Sequence, residues 1–111
     1  MQFAEESKFA REYAKLYKRF LSLDADIEKV KKVIARLPKG PGSKHWNILH
    51  RSENVVILKT RVSCASLRRD ALRLIYAYLP ANGHVDFIEI YFKGDKESED
   101  KERIKDYLNS I

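Results

Sequence analysis

Cysteine is almost absent from this sequence: Cys64 is the single thiol among 111 residues. One thiol excludes an intrachain disulfide, a CxxC redox site and a cysteine-rich zinc site. We interpret Cys64 as a small buried side chain on a strand. The three histidines, His45, His50 and His84, have no partner at the spacing of metal ligands. We therefore expect no metal and no cofactor.

Long hydrophobic runs are absent as well. No stretch approaches the roughly 20 apolar residues that a membrane-spanning helix needs. The N-terminal segment MQFAEESKFAREY mixes apolar residues with both signs of charge, so it lacks the apolar core of a signal peptide. No Pro-, Ser- or Gly-rich stretch is long enough to be an interdomain linker. These absences predict a cytoplasmic protein without membrane association and a single domain over residues 1–111.

Positive charge is what the sequence has in excess, with a net charge of +6. Residues 38–73 carry eight Lys or Arg and only two acidic residues, whereas residues 74–111 have more acidic than basic residues. A polyanion is the natural partner of such a stretch, and solubility alone is the alternative explanation. The cations of this stretch that we expect to bind nucleic acid include Arg51, Lys59, Arg68 and Arg69.

Apolar residues recur at helical spacing near both ends of the chain. Residues 7–21 and 22–37 each place an apolar residue every three or four positions. The link between them is so short that the two helices form an antiparallel hairpin. Residues 95–111 are acidic at first and then keep the same apolar spacing, which predicts a C-terminal helix.

A loop and three strands are predicted between these helices. The loop is PKGPGSKHWN, because Pro and Gly dominate its first half. Residues 54–64, 72–79 and 84–92 are rich in β-branched and aromatic residues, as strands are.

This order of elements predicts an α+β fold, (β)ααβββα, with a short optional first strand. The helix hairpin packs on one face of a twisted antiparallel sheet of three to four strands, and the C-terminal helix follows. The face under the hairpin is expected to carry Val56, Leu58, Leu74, Ile88, Ile90 and Phe92. Function is expected on the other face, which stays open.

Polar side chains of one parity are predicted to share that open face, because strand side chains alternate. They are Lys59, Arg61, Arg73, Glu89, Tyr91 and Lys93. The last hairpin loop must then have an odd number of residues, since a two-residue loop at Asn82 and Gly83 would break the register. Fixed Arg and Lys donors can bind a nucleic-acid backbone and stabilise the charge that develops when RNA is cleaved. A merely solvated cationic face is the alternative.

Three segments carry a resemblance to a known family. They are FAREYAKLYKRFLSLDADIEKVKKVIARLP, KTRVSCASL and LRLIYAYLPANGHVDFIEIYFKGDKESEDKERIKDYL. In the last of them an arginine precedes an aromatic strand, a hairpin follows, and IEIYFKGDK leads into an acidic helix start. Most of the chain thus resembles the RelE/ParE superfamily of toxins, in the branch of RelE and HigB.

The resemblance implies a toxin of a type II toxin–antitoxin system that cuts messenger RNA on the ribosome without a metal and so inhibits translation. Its expected partners are a cognate antitoxin, the ribosome and messenger RNA, and its expected state is a monomer or a toxin–antitoxin hetero-oligomer. Lys59, Arg61, Arg73 and Lys93 match the family's basic positions, and the last three are predicted to be catalytic. RelE ends with a catalytic tyrosine beyond its last strand, and here Tyr91, or else Tyr107, is the candidate to replace it.

Two other functions stay open at this point. One is inhibition of gyrase, as by ParE, which involves no chemistry of the toxin's own. The other is a catalytically inactive toxin-like domain that binds RNA or a protein. Cleavage of ribosome-bound messenger separates the nuclease from both.

Overall fold

The computed structural model of this chain describes residues 1–67 and 71–111. Its helices are α1 (Ser7–Arg19), α2 (Leu23–Arg36) and α3 (Lys101–Ser110), and Pro80–Asn82 forms a 3₁₀ turn. Its strands are β1 (Gln2–Glu5), β2 (Trp46–Arg51), β3 (Val56–Ser63), β4 (Ala71–Leu79) and β5 (His84–Phe92). Within these ranges, no helix is both long and apolar enough to cross a membrane. Arg68 and Arg69, which were predicted to bind RNA, lie outside the described residues.

Five strands of the described ranges form one sheet in the order β1-β5-β4-β3-β2. The predicted α+β layout is confirmed. The sheet has five strands instead of three to four, and it is mixed, because β1 runs parallel to β5. The strand that the pattern missed is β2, which begins at Trp46 inside the predicted loop. Prolines and glycines just before it concealed a short edge strand that pairs only with β3.

Helices α1 and α2 cover one face of the sheet. Their side chains Phe9 and Leu23 are fully buried in the core that they form with the strands. The strand side of this core includes the predicted Val56, Leu58, Leu74 and Ile90, with Phe92 packed against it. The predicted packing of the hairpin is thus confirmed at these positions. Cys64 is buried in the same core, as predicted, but one residue beyond the end of β3.

The prediction that Ile88 faces the hairpin is wrong, because a β-bulge displaces it. In the pairing of β4 with β5, Ile75 lies opposite Glu89, whereas the next residue, Tyr76, lies opposite Phe87. Ile88 is the extra residue in β5, and it is buried in the cluster on the opposite face. A bulge of this kind places two residues opposite one and changes which face the following residues occupy.

The same bulge decides which polar residues come together. Four residues separate Leu79 from its partner His84, so the expected odd loop is not what the chain has. Next to the turn, an odd-numbered residue of one strand therefore lies opposite an even-numbered residue of the other, as Leu79 does opposite His84. The extra residue Ile88 shifts the pairing by one, and beyond it Arg73 lies opposite Tyr91. The expected alignment of the polar residues is restored by a bulge that the sequence pattern did not reveal.

Helix α3 covers half of the face that was expected to stay open. Ile104 and Tyr107 of α3 pack in one buried cluster with Ile57, Ile75 and Ile88 of the sheet. Ile57 and Ile75 have the parity of the predicted polar set, and the bulge brings Ile88 to the same face, but all three lie nearer the β4–β5 turn than Arg61 and Arg73. The open surface is therefore confined to the other half of the face.

The start of α3 is anchored by Glu89, a side chain that is fully buried rather than exposed among the cations. Its carboxylate accepts hydrogen bonds from the backbone N–H of Asp100 at 2.9 Å and from the Lys96 ammonium. Arg103 Nη2 lies 3.9 Å from the same carboxylate. The prediction that Glu89 belongs to the open polar face is wrong, because these partners draw it under the segment that leads into α3.

Candidate functional site

A basic cleft of about 220 Å³ lies on the uncovered half of the sheet face. Its lining residues are Lys44, His45, Asn47, Lys59, Arg61, Arg73 and Lys93. Five of these side chains are cations, and no carboxylate is among the described residues that line the cleft. So dense an arrangement of one charge sign attracts polyanions.

Strand register brings these cations together. Arg61 in β3 lies directly opposite Arg73 in β4, and Lys59 lies opposite Asn47 in β2. Lys59 and Arg61 share one face of β3 because they are two residues apart. Lys93 follows the last residue of β5 and lies at the exposed margin of the cleft. The four predicted basic residues of the strands thus line one cleft.

Arg61 and Arg73 form a like-charge pair across two strands. Directly opposed like charges are destabilising in a sheet. Neither arginine has an ion pair within residues 1–67 and 71–111. The Nε of Arg61 is buried and has no hydrogen-bond partner there, and Arg73 Nη1 donates only long bonds of 3.4 Å to the carbonyl oxygens of Ala71 and Leu72. The two guanidinium groups therefore have hydrogen-bond donors available for an anion.

His45 lines the cleft from the segment just before β2. Its carbonyl oxygen accepts a hydrogen bond from the backbone N–H of Arg61 at 3.1 Å, which ties this segment to β3. The sequence pattern did not assign Lys44, His45 or Asn47 to the site. The signal that was available is alternation, because His45 and Asn47 flank Trp46, whose side chain packs against the hairpin core.

Lys59 is the one lining cation with a carboxylate partner in the described structure. Its Nζ donates to Glu99 Oε1 at 2.8 Å, from the segment that precedes α3. Partial burial opposes ionisation of Glu99, but the hydrogen bond and charge of Lys59, with the charge of Lys101, outweigh it. The pKa of Glu99 therefore lies below its usual value, and the carboxylate is ionised at neutral pH.

Tyr91 lies opposite Arg73 but does not line the cleft. Its side chain is buried, and the Lys96 ammonium lies over its ring. Burial, reinforced by the charges of Glu99 and Glu89 and opposed by that of Arg73, raises the pKa of Tyr91 to about 12. A phenol with so high a pKa is a poor general base at neutral pH.

The remaining predicted residues lie elsewhere. Arg51 is exposed at the far end of β2, opposite Val56, and is not brought to the cleft. Tyr107 belongs to α3 and is buried against the sheet, where its hydroxyl donates to Asp86 at 2.5 Å. Burial, followed by this hydrogen bond and the charge of Asp86, raises the pKa of Tyr107 above its ordinary value.

The other histidines do not join His45. His50 lies within β2, and His84 Nε2 is 2.6 Å from Asp86 Oδ1 at the start of β5. In the part of the chain that the structure describes, no three His, Cys, Asp or Glu side chains come close enough to hold a metal ion.

Comparison with known proteins adds no relative. A scan against models of protein families gives no match, and a search of curated proteins gives no significant match either. The resemblance to the RelE/ParE superfamily therefore stays a prediction that rests on the sequence segments quoted above.

Proposed function

We propose that this protein is a RelE-like toxin that binds messenger RNA in the basic cleft and cleaves it. The cytoplasm is its proposed place of action, and inhibition of translation is the proposed outcome. The observation that carries the proposal is the opposed pair Arg61 and Arg73, two cations without a carboxylate partner among the described residues. An RNA phosphate between them would offset their repulsion and take up their free donors.

The proposed reaction needs only groups of the RNA and of the cleft. The ribose 2′-oxygen attacks the adjacent phosphorus and the bond from phosphorus to the 5′-oxygen breaks. The products are a 2′,3′-cyclic phosphate and a 5′-hydroxyl. Negative charge grows on the nonbridging oxygens during this step, and Arg61, Arg73 and Lys93 would stabilise it through charge-assisted hydrogen bonds.

Proton transfer in this scheme is assigned to His45 instead of Tyr91. The 2′-hydroxyl must lose a proton and the leaving 5′-oxygen must gain one, so His45 would take the proton from the first and deliver it to the second. Imidazole is the side chain that most readily exchanges a proton near neutral pH, and His45 is the only histidine among the described lining residues. Tyr91 is buried away from the cleft with a raised pKa, which makes it unsuitable.

The proposed protein partner is a cognate antitoxin with an acidic segment. Carboxylates of such a segment would bind Arg61, Arg73 or Lys93 through the same hydrogen bonds that phosphate uses. Co-expression with the product of a neighbouring reading frame, followed by purification at low and high salt, tests this. A complex that survives low salt and weakens at high salt is expected, and no copurification at low salt counts against the idea.

The nuclease proposal is tested with purified ribosomes that carry a defined messenger. The protein is expected to cut the messenger and to leave a 2′,3′-cyclic phosphate. A messenger with a single 2′-deoxyribose at the cut site is the matched control, because it lacks the nucleophile and should stay intact there. Binding of RNA without cleavage would favour the inactive toxin-like domain, and cleavage of the deoxy substrate at the same bond would contradict the proposed reaction.

A further inference from the structure

Lys59, one of the cations that line the basic cleft, is paired with a carboxylate of the chain itself. Glu99 holds Lys59 in an ion pair in which the side chains are only 10% and 26% exposed. Within residues 1–67 and 71–111, the other lining cations, Lys44, Arg61, Arg73 and Lys93, have no ion pair. Glu99 therefore neutralises one of the five lining cations, and the other four have no ion pair among the described residues.

Carboxylate and phosphate oxygens make the same charge-assisted hydrogen bonds with an ammonium group. A phosphate bound to Lys59 would lie next to the Glu99 carboxylate, and two adjacent anions repel each other. We infer that Glu99 is a built-in competitor of the cleft, which holds Lys59 until an RNA phosphate displaces it. This inference rests on the proposed function, since it takes phosphate to be the ligand.

The surrounding contacts suit a side chain that is displaced and then returns. Glu99 lies between Lys96 and Asp100, which both donate hydrogen bonds to the buried carboxylate of Glu89. Asp100 is therefore held through its backbone and Lys96 through its side chain, in both cases independently of Lys59. With these neighbours anchored, displacement of the Glu99 side chain from Lys59 would leave its carboxylate close to the cleft.

Competition of this kind lowers the affinity of the cleft for RNA. Binding must break the ion pair between Lys59 and Glu99, and partly exposed pairs are worth roughly 0.2–1 kcal/mol. We expect Glu99→Gln to tighten RNA binding by roughly two- to five-fold relative to a variant that loses the same charge elsewhere. A role in positioning Lys59 predicts the opposite sign, because loss of the pair would then weaken binding.

Glu97→Gln is the matched control. Glu97 lies in the same segment, is exposed and has no ion pair in the described part of the chain. Both variants raise the net charge by one, so their difference isolates the contact with Lys59. The probe is a short oligonucleotide with 2′-O-methyl riboses, which has the phosphates but cannot be cut. Its dissociation constant is measured by fluorescence anisotropy at fixed salt.

A Lys59→Gln background completes the cycle. If Glu99 acts through Lys59, the difference between Glu99→Gln and Glu97→Gln should disappear once Lys59 is gone. A difference that persists without Lys59 overturns the inference, because Glu99 would then act on the cleft as a general charge.

The outcomes separate this inference from the proposed function. Tighter binding by Glu99→Gln than by Glu97→Gln supports the inference, including the case in which only Glu99→Gln binds measurably. If the wild type binds the probe but Glu99→Gln binds it no more tightly than Glu97→Gln does, the inference is overturned and the proposed function stands. No binding by any variant overturns both, because the unmasked cleft should then have bound the probe.

Discussion

Arg61 and Arg73 face each other across β3 and β4, and in the described residues neither meets a carboxylate. Opposed like charges lower the stability of a sheet by an amount similar to what opposite charges add. The pair is therefore better explained by a ligand that it binds than by a contribution to folding. Glu89, a carboxylate of the neighbouring strand β5, is bound instead to Lys96 and the backbone N–H of Asp100.

Arg73→Gln should leave the free energy of unfolding unchanged or raise it by less than about 1 kcal/mol, because it removes the repulsion from Arg61. Urea denaturation of the purified protein measures this. Arg61→Gln is the reciprocal variant and should behave alike. A clear loss of stability in both would mean that the arginines support the sheet through contacts other than those described.

His45→Gln should slow RNA cleavage by about 10²-fold or more while leaving RNA binding within a few-fold of the wild type. The reason is that glutamine keeps hydrogen-bonding capacity but cannot exchange a proton near neutral pH. Rates are measured against pH, and the variant should lose a pH-dependent limb that the wild type has. His50→Gln is the control, since His50 lies within β2 and does not line the cleft. Equal pH profiles for wild type and His45→Gln would remove His45 from proton transfer.

Glu89→Gln should lower the free energy of unfolding by roughly 2 kcal/mol, because hydrogen bonds to a buried charged group are lost. Amide hydrogen exchange in α3 should speed up in the same variant, since Glu89 holds the N–H of Asp100 at the start of that helix. Glu97→Gln, at an exposed position nearby, should change neither quantity. Unchanged exchange in Glu89→Gln would show that contacts other than those of Glu89 hold the start of α3.

Stability should fall as pH rises from about 10 towards 12. Burial raises the pKa of Tyr91 to about 12, and burial also raises the pKa values of Tyr13, Tyr76 and Tyr107. An unfolded tyrosine ionises near pH 10, so above that pH ionisation stabilises only the unfolded state. The stabilisation is complete below pH 10 and is lost on the alkaline side.

Denaturation followed by circular dichroism between pH 9 and pH 12 checks this, with tyrosinate absorbance as the second signal. Tyr91→Phe should lose less stability than the wild type over the same range. If the two lose equal amounts, Tyr91 is not protected from ionisation in the folded protein.

Alternation along each strand predicted correctly that Lys59 and Arg61 share one side of β3 and that Arg73 is on the polar side of β4. Lys93 joins them because the bulge at Ile88 compensates for the even-numbered loop between β4 and β5. Alternation could not reveal the bulge at Ile88, since an extra residue in one strand depends on how its neighbour pairs. The predicted face was therefore correct for the cations and wrong for Ile88, whereas for Glu89 the exposure was wrong, because the segment before α3 covers it.

Long-range packing accounts for the rest of what the sequence did not predict. The sequence shows the apolar side of α3 in Ile104 and Tyr107. The face of the sheet that α3 covers is decided by Ile57 and Ile75, which have the parity of the face predicted to be exposed. His45 was not assigned to the site because β2, which carries this wall of the cleft, was interpreted as a loop. An edge strand pairs on one side only and can form without a marked apolar pattern in its sequence.

The cleavage rate of ribosome-bound messenger by wild type and Arg73→Ala, measured beside their thermal melts, tests the central claim most directly. The guanidinium of Arg73 should donate to the phosphate in the transition state, so its loss is expected to slow cleavage by on the order of 10²-fold or more while the melt is preserved. Arg73→Lys should also be impaired, because an ammonium cannot reproduce the two parallel hydrogen bonds of a guanidinium. A folded Arg73→Ala protein that cuts the messenger at the wild-type rate would contradict the account.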